Sequence, residues 1–304
     1  MRILIFISFF VVGLSSIGQQ YPIIGQYNYN EMIINPASTG ESGALQGLLS
    51  WRQQWIGVDG APSTQNFSLQ SPLKKKPNTS VGILAYSDRI GVSNQSGLFF
   101  NYAYQLKLNR DSKIKFGVSG GMNFGRSKFS ELNTNDQFDP SFQENTPLFI
   151  TPNFSFGLKY YYKKLNLGIS IPTLLSNEYA SGGYARVYND FSSYNILTSV
   201  KYSHELTNNL DFIPSLLFKY HTLNRDQIDI MLTLTYKEMH SFGLGYRSYE
   251  GMLMHFKVGV TSQLSVGAQY ELPVMNLSTY KASSFEILVL YNALFKTKFS
   301  NPRY

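Results

Sequence analysis

"QSGLFFNYAYQLKL", residues 95–108, changes chemical character at almost every step. Leu98, Phe100, Tyr102, Tyr104, Leu106 and Leu108 hold the even positions, and Asn101, Ala103, Gln105 and Lys107 the odd ones. In an extended chain successive side chains point to opposite faces, so this stretch is a strand with one apolar face and one small or polar face. Strands of about ten residues with that division are what a membrane β-barrel requires: apolar side chains meet lipid and the others line the lumen.

The period of two continues outward in both directions. In "SKIKFGVSGGMNFG" the residues Ile114, Phe116, Val118, Met122 and Phe124 alternate with Lys113, Lys115, Ser119 and Asn123. Phe212, Pro214, Leu216, Phe218 and Tyr220 oppose Ser215 and Lys219, and Ile228, Ile230, Leu232, Leu234 and Tyr236 oppose Asp229, Thr233 and Thr235. The last such run sets Phe285, Ile287, Val289 and Tyr291 against Glu286 and Asn292. A soluble sandwich also alternates, but with shorter strands and its apolar face inward. The chain is only 15% charged and 15% aromatic, which favours a surface in lipid.

The pattern predicts a single antiparallel transmembrane barrel of about fourteen strands over residues 44–304. The expected spans are 44–55, 62–71, 79–88, 95–108, 112–127, 151–162, 164–172, 191–204, 209–221, 226–237, 239–248, 252–261, 263–271 and 281–295. Bacterial outer-membrane barrels keep short turns in the periplasm and long loops outside. The two longest links, 128–150 and 173–190, are the fifth and seventh, so both fall on the outer side, and the short turns fall on the other.

Charge divides the same way. Lys74, Lys75, Lys76, Arg110, Lys163, Lys164 and Lys237 sit at or near periplasmic turns, whereas Glu131, Asp136, Asp139 and Glu144 sit in the longest outer loop. The net charge of +7 therefore needs no nucleic acid to explain it. A basic rim suits anionic lipid headgroups or an acidic periplasmic partner.

Before the barrel, Arg2 precedes the apolar run Ile3–Leu14, followed by the small residues Ser16 and Gly18. Residues 1–18 read as a secretory signal peptide cleaved near Gly18. Residues 19–43, rich in Asn and Tyr with a turn at Asn35–Pro36, read as a periplasmic arm or a plug.

Little in the sequence supports catalysis, a cofactor or a metal. The chain has no cysteine, which excludes disulfides and thiolate sites. His204, His221, His240 and His255 show no metal-ligand spacing. Gly117–Gly121 fits G-x-S-x-G, but the nucleophile elbow needs a strand-to-helix turn and Ser119 lies mid-strand. Glycines inside strands, such as Gly117 and Gly243, are expected where a barrel curves.

Several stretches together resemble the type IX secretion system membrane proteins of the PorP/SprF family, over essentially the whole mature chain. "QYNYNEMIINPASTG" is similar to the family's start through Asn35, Pro36, Ala37 and Gly40. "RQQWIGVDGAPSTQNFSLQSPL" resembles its most characteristic tract through Arg52, Gln54, Trp55, Gly57, Gly60, Ala61, Pro62 and Thr64. "DRIGV" from Asp88, Asp139–Pro140, Leu272–Pro273 and "SSFEILVLY" also resemble the family, except that Phe285 stands where a His is more usual. The resemblance implies a non-enzymatic component of secretion and gliding machinery in the outer membrane of Bacteroidota. It also implies periplasmic type IX subunits, and a large secreted adhesin or its C-terminal domain, as partners. A channel for small, including hydrophobic, solutes is the alternative.

These expectations meet in residues 50–73. Trp51 and Trp55 are expected on the lipid face, in an aromatic girdle at the outer interface, and Arg52 and Gln54 on the lumen face. Candidates for partner contact are Asn35, Pro36, Arg52, Gln54, Gly57, Gly60, Pro62, Lys74, Lys75 and Lys76.

Overall fold

The computed structural model describes Gly25 and residues 27–131, 144–179, 185–221, 225–274 and 282–293. The expected signal peptide, Asp136 and Asp139–Pro140 lie outside these residues.

The strands run in chain order: β1 Gln46–Gln53, β2 Ser63–Leu73, β3 Lys76–Ile90, β4 Ser93–Lys107, β5 Ser112–Ser127, β6 Phe149–Tyr162 and β7 Leu165–Ile171. Then follow β8 Ser176–Tyr179, β9 Ala185–Tyr188, β10 Asn195–Tyr202, β11 His204–Thr207, β12 Leu210–His221, β13 Gln227–Tyr236, β14 His240–Arg247, β15 Gly251–Gly259, β16 Leu264–Pro273 and β17 Ser284–Asn292. β8 and β9 form a separate hairpin in an outer loop. β10 and β11 are one stave interrupted at Ser203, with a register shift between Glu205 and Thr207. The remaining strands complete a ring of fourteen staves, each antiparallel to its neighbours.

Closure is made by β1, which pairs with β2 on one edge and β17 on the other, from Gln46↔Asn292 to Gln53↔Phe285. A closed ring leaves no strand edge unpaired, the condition for putting a sheet into hydrocarbon. At one end the links are short, as at Lys74–Lys75 and Lys163–Lys164; the opposite end carries 54–62, 128–148 and 172–194. Short turns mark the periplasmic end.

β3 starts at Lys76, before its expected start, because the turn shrinks to Lys74–Lys75. β1 ends at Gln53, before Trp55. There the Gln54 N–H donates to the Pro62 carbonyl and the Ile56 N–H to the Ser283 carbonyl, which draws the chain off the ladder. Trp55 then turns with a left-handed φ of 45°.

The outward face carries two belts of aromatics with aliphatics between. Tyr104, Tyr162, Tyr202, Tyr236 and Tyr291 ring the periplasmic side, and Trp51, Tyr220, Tyr246 and Tyr270 the outer side; all are exposed. Leu232, Leu244, Met254 and Val289 lie in the band between them, exposed likewise. Amphipathic rings suit the headgroup level, and aliphatic side chains suit the acyl layer. Trp51 packs edge-on against Phe285 at 5.2 Å and donates from Nε1 to Ser63 Oγ at 3.1 Å. Leu232→Arg, in the middle of the lipid-facing band of β13, is expected to destabilise the barrel by about 2–4 kcal/mol. Equilibrium unfolding in urea from phospholipid vesicles measures this.

Candidate functional site: the plugged lumen

The inward face is not uniformly polar. Leu48, Leu84, Phe99, Leu197, Leu217, Leu288 and Leu290 point inward and are buried. They pack against the segment before β1, which lies inside the ring as three short 3-10 turns, Tyr27–Tyr29, Glu31–Ile33 and Pro36–Ser38. Tyr27 and Ile34 cluster with Leu197 and Leu217, and Met32 and Ile33 with Leu84 and Phe99. Tyr29 joins Leu48, Leu288 and Leu290.

Asn35 caps the third turn. Its Oδ1 accepts from the Ala37 N–H at 2.9 Å, and its Nδ2 donates to the carbonyls of Leu158 at 3.4 Å and Ile169 at 3.3 Å. Pro36 occupies the first helical position, where its missing N–H costs nothing. Room for this turn comes from Gly117 and Gly157. A Cβ at Gly117 would collide with the backbone of Pro36 and Ala37, and one at Gly157 with the Asn35 side chain. These two glycines thus admit the plug, beyond any role in curvature.

Two ionic clasps flank the plug, and the inner one pairs with it directly. In the outer half, Arg52 makes a two-pronged contact with Glu271 at 2.9 and 2.6 Å and lies 3.7 Å from Glu286. Arg247 reaches Asp229 at 3.0 Å, Glu250 at 3.0 Å and Glu271 at 3.1 Å, and Lys219 reaches Asp229 at 3.1 Å. The plug enters this network at Gly25, whose N–H donates to Glu286 at 2.9 Å. Nearer the periplasm, Lys159 bridges Glu31 at 2.5 Å and Glu41 at 2.9 Å, and Lys201 also pairs with Glu31. Lys115 donates to the Thr39 carbonyl. Between the clasps, Tyr29 Oη and His255 Nδ1 lie 2.9 Å apart, and His255 Nε2 sits 3.1 Å from Thr233 Oγ1. His255 is therefore a fully partnered link between barrel and plug.

The candidates from sequence scatter over three places. Asn35, Pro36 and Arg52 are inside the barrel and buried, on no outer or periplasmic surface. Gln54 and Pro62 are buried at the outer end of β1, next to the turn that holds Gly57 and Gly60 at φ 87° and 73°. Lys74, Lys75 and Lys76 are exposed on the periplasmic rim. Trp51 and Trp55 are exposed at 39% and 43%. Sequence reasoning missed Glu31, Glu41, Lys159, Arg247, Glu271 and Glu286 as plug-holding residues. For Lys159, Arg247, Glu271 and Glu286 the signal was a charged side chain at the inward phase of a strand, which has to find a counter-ion within the lumen; Glu31 and Glu41, on the plug, carried no such signal.

Together these features define a plugged outer-membrane β-barrel with a charge-balanced interior. The chain belongs to the family of type IX secretion system membrane protein PorP/SprF, whose model matches residues 16–291. No curated protein matches the sequence. Among solved structures it is similar to the "CymD monoaromatic hydrocarbon channel", with TM-score 0.53 and 11% identity over 87% of this chain and 93% of that one. The toluene transporter TodX of P. putida is similar at TM-score 0.52 and 9% identity, over 88% of this chain and 94% of that one. Likeness at this level of identity concerns the barrel fold.

Two predictions test the clasps. Arg52→Met takes the two-pronged partner from Glu271, which keeps Arg247, and the neighbouring guanidinium from Glu286, and should cost about 3–5 kcal/mol in equilibrium unfolding. Adding Glu271→Gln should recover part of the loss. At Glu31, burial pushes the carboxyl up, but Lys159 and Lys201 outweigh it and hold the group near 2, below its usual 4.5. A depressed folded-state value means that its contribution is complete above about pH 4.5 and is lost as pH falls towards 2. Protease susceptibility of residues 27–44 should rise across that window, and Glu31→Gln should remove most of the pH dependence.

Proposed function

We propose that the protein is a closed docking barrel of the type IX machinery: partners meet its two rims, and nothing is conducted through its lumen. The observation that carries this reading is the plug, ion-paired to Lys159 and Lys201, bonded to Glu286 through the Gly25 N–H and packed on three apolar clusters. With the plug lying inside the ring, the surfaces proposed for recognition are the basic periplasmic rim and the outer loops. Lys74, Lys75 and Lys76 would face periplasmic type IX subunits and anionic headgroups. The turn containing Gly57 and Gly60, with Gln54 and Pro62 supporting it, would face a large secreted adhesin or its C-terminal domain. Asn35, Pro36 and Arg52 serve this function indirectly, by seating the plug.

The test is affinity purification from solubilised membranes. The intact protein should recover type IX subunits or a surface adhesin, and Lys74→Glu/Lys75→Glu/Lys76→Glu should lower recovery of the periplasmic subunits at unchanged barrel levels. Recovery of neither class, with secretion normal in a deletion strain, overturns the proposal.

Solute transport is the competing reading, and two fold neighbours carry the names of hydrocarbon and toluene transporters. Planar-bilayer recording separates the two. The docking reading expects no steady conductance from the intact protein, and flickering openings once Glu31→Gln and Lys159→Gln loosen the plug. A steady, selective open channel in the intact protein would favour transport.

A further inference from the structure

One arc of the outward face departs from the pattern of the rest. Where β12 to β16 reach the outer end, their last outward positions are Tyr220, Ile228, Tyr246, Met252 and Leu272, all exposed. On β1 to β5 the corresponding positions are Gln53, Ser63, Arg89, Asn94 and Arg126. The ladders join these five into one row: Gln53↔Ser63, Ser63↔Arg89, Arg89↔Asn94 and Asn94↔Arg126. One step of the pleat down, the row reads Trp51, Gln65, Ser87, Ser96 and Phe124. The next is apolar throughout: Leu49, Phe67, Ala85, Leu98 and Met122. The surface thus passes from acyl-facing to polar within two steps, and the polar rows carry two arginines and no acid.

Arg89, Asn94 and Arg126 are exposed. β4 separates β3 from β5, so the two arginines leave the sheet roughly 10 Å apart with Asn94 between them. Among the described residues neither guanidinium forms an ion pair. Arg89 Nε donates only to the Gly91 carbonyl, at 3.4 Å. Glu131 lies close enough to Arg89 to feel its charge, but Lys128 takes its carboxylate at 2.7 Å. Two arginines without counter-ions, set directly above an acyl-facing surface, suit an anion that is itself anchored in the membrane. Planar guanidinium groups match phosphate oxygens in two-pronged geometry. The amide and hydroxyls of Gln65, Ser87 and Ser96 beside them suit a headgroup rich in hydroxyls. The long loops mark this end as the outer leaflet, where the lipid of a bacterial outer membrane is a phosphorylated glycolipid.

We propose that the outer ends of β2 to β5 bind the phosphorylated sugar headgroup of an outer-leaflet glycolipid. Arg89 and Arg126 hold one phosphate between them and Asn94 donates to it. Gln65, Ser87 and Ser96 meet the sugar hydroxyls, and the acyl chains run down over Leu98 and Met122.

Native mass spectrometry of the full-length protein in detergent, with purified lipid A added, tests the proposal. Dephosphorylated lipid A and phosphatidylglycerol are the comparison lipids. Phosphorylated lipid A should bind about tenfold or more tighter than either. Arg89→Gln/Arg126→Gln should weaken it by about the same factor. Lys74→Gln/Lys75→Gln removes equal charge from the periplasmic rim and should leave it unchanged. Retention of the heat-modifiable folded form on gels shows that each variant is folded. Equal binding of phosphatidylglycerol overturns the proposal, as does lipid A binding that is undiminished in the folded arginine variant or lowered as much in the lysine variant. Reduced recovery of a surface adhesin by the arginine variant, with lipid A binding unchanged, would make the row a protein contact instead.

Discussion

Everything in this molecule depends on the pairing of β1 with β17. A backbone N–H or carbonyl left unpaired in hydrocarbon costs several kcal/mol, so a sheet survives there only as a ring. The eight register pairs from Gln46↔Asn292 to Gln53↔Phe285 turn a run of hairpins into a vessel with an inside. Once closed, the ring obliges each strand to present one face to lipid and the other to a shared interior. The alternation around Tyr102 and Asn101 meets that obligation.

A ring of this size encloses more space than its own inward side chains fill. The plug takes up the difference, and the interior is specialised to receive it. Small residues open the wall where Asn35 and Pro36 pass, leucines meet its apolar turns, and charges pair across it. Buried ion pairs add little net stability over well-packed apolar groups, but a broken pair is costly. Here they set where the plug sits: Gly25 bonds Glu286, and Glu31 pairs with Lys159 and Lys201.

Much of the barrel was legible in the sequence because its signal is local. A side chain's phase in the pleat follows from its neighbours, so the outward placement of Phe100 and the inward placement of Arg52 and Lys115 could be read off directly. Strand number followed from turn chemistry and loop parity. The plug was legible only as a change of texture, because its turns are held by residues far away in sequence. Nothing near Asn35 announces Gly157, and nothing near Glu31 announces Lys201. Inward leucines such as Leu217 also escaped an expectation of a polar lumen, since an apolar lumen residue makes sense only with a partner opposite. Trp55 was read as part of β1 although the strand ends two residues earlier, because alternation does not record where the ladder stops.

The bond between Gly25 and Glu286 joins residues 261 positions apart, and its acceptor lies on the last strand of the ring. The plug also rests on β4, β5 and β6 and reaches across to His255 on β15. It therefore cannot find its final seat on a partly built sheet, because no incomplete set of strands presents all of these partners. The stretch of the plug nearest the start of the chain has its bond to Glu286 only once β17 is in place. Until β17 docks beside β1, Gly25 lacks its Glu286 acceptor and Tyr29 lacks Leu288 and Leu290, so the seating of this end of the plug reports that the ring has closed.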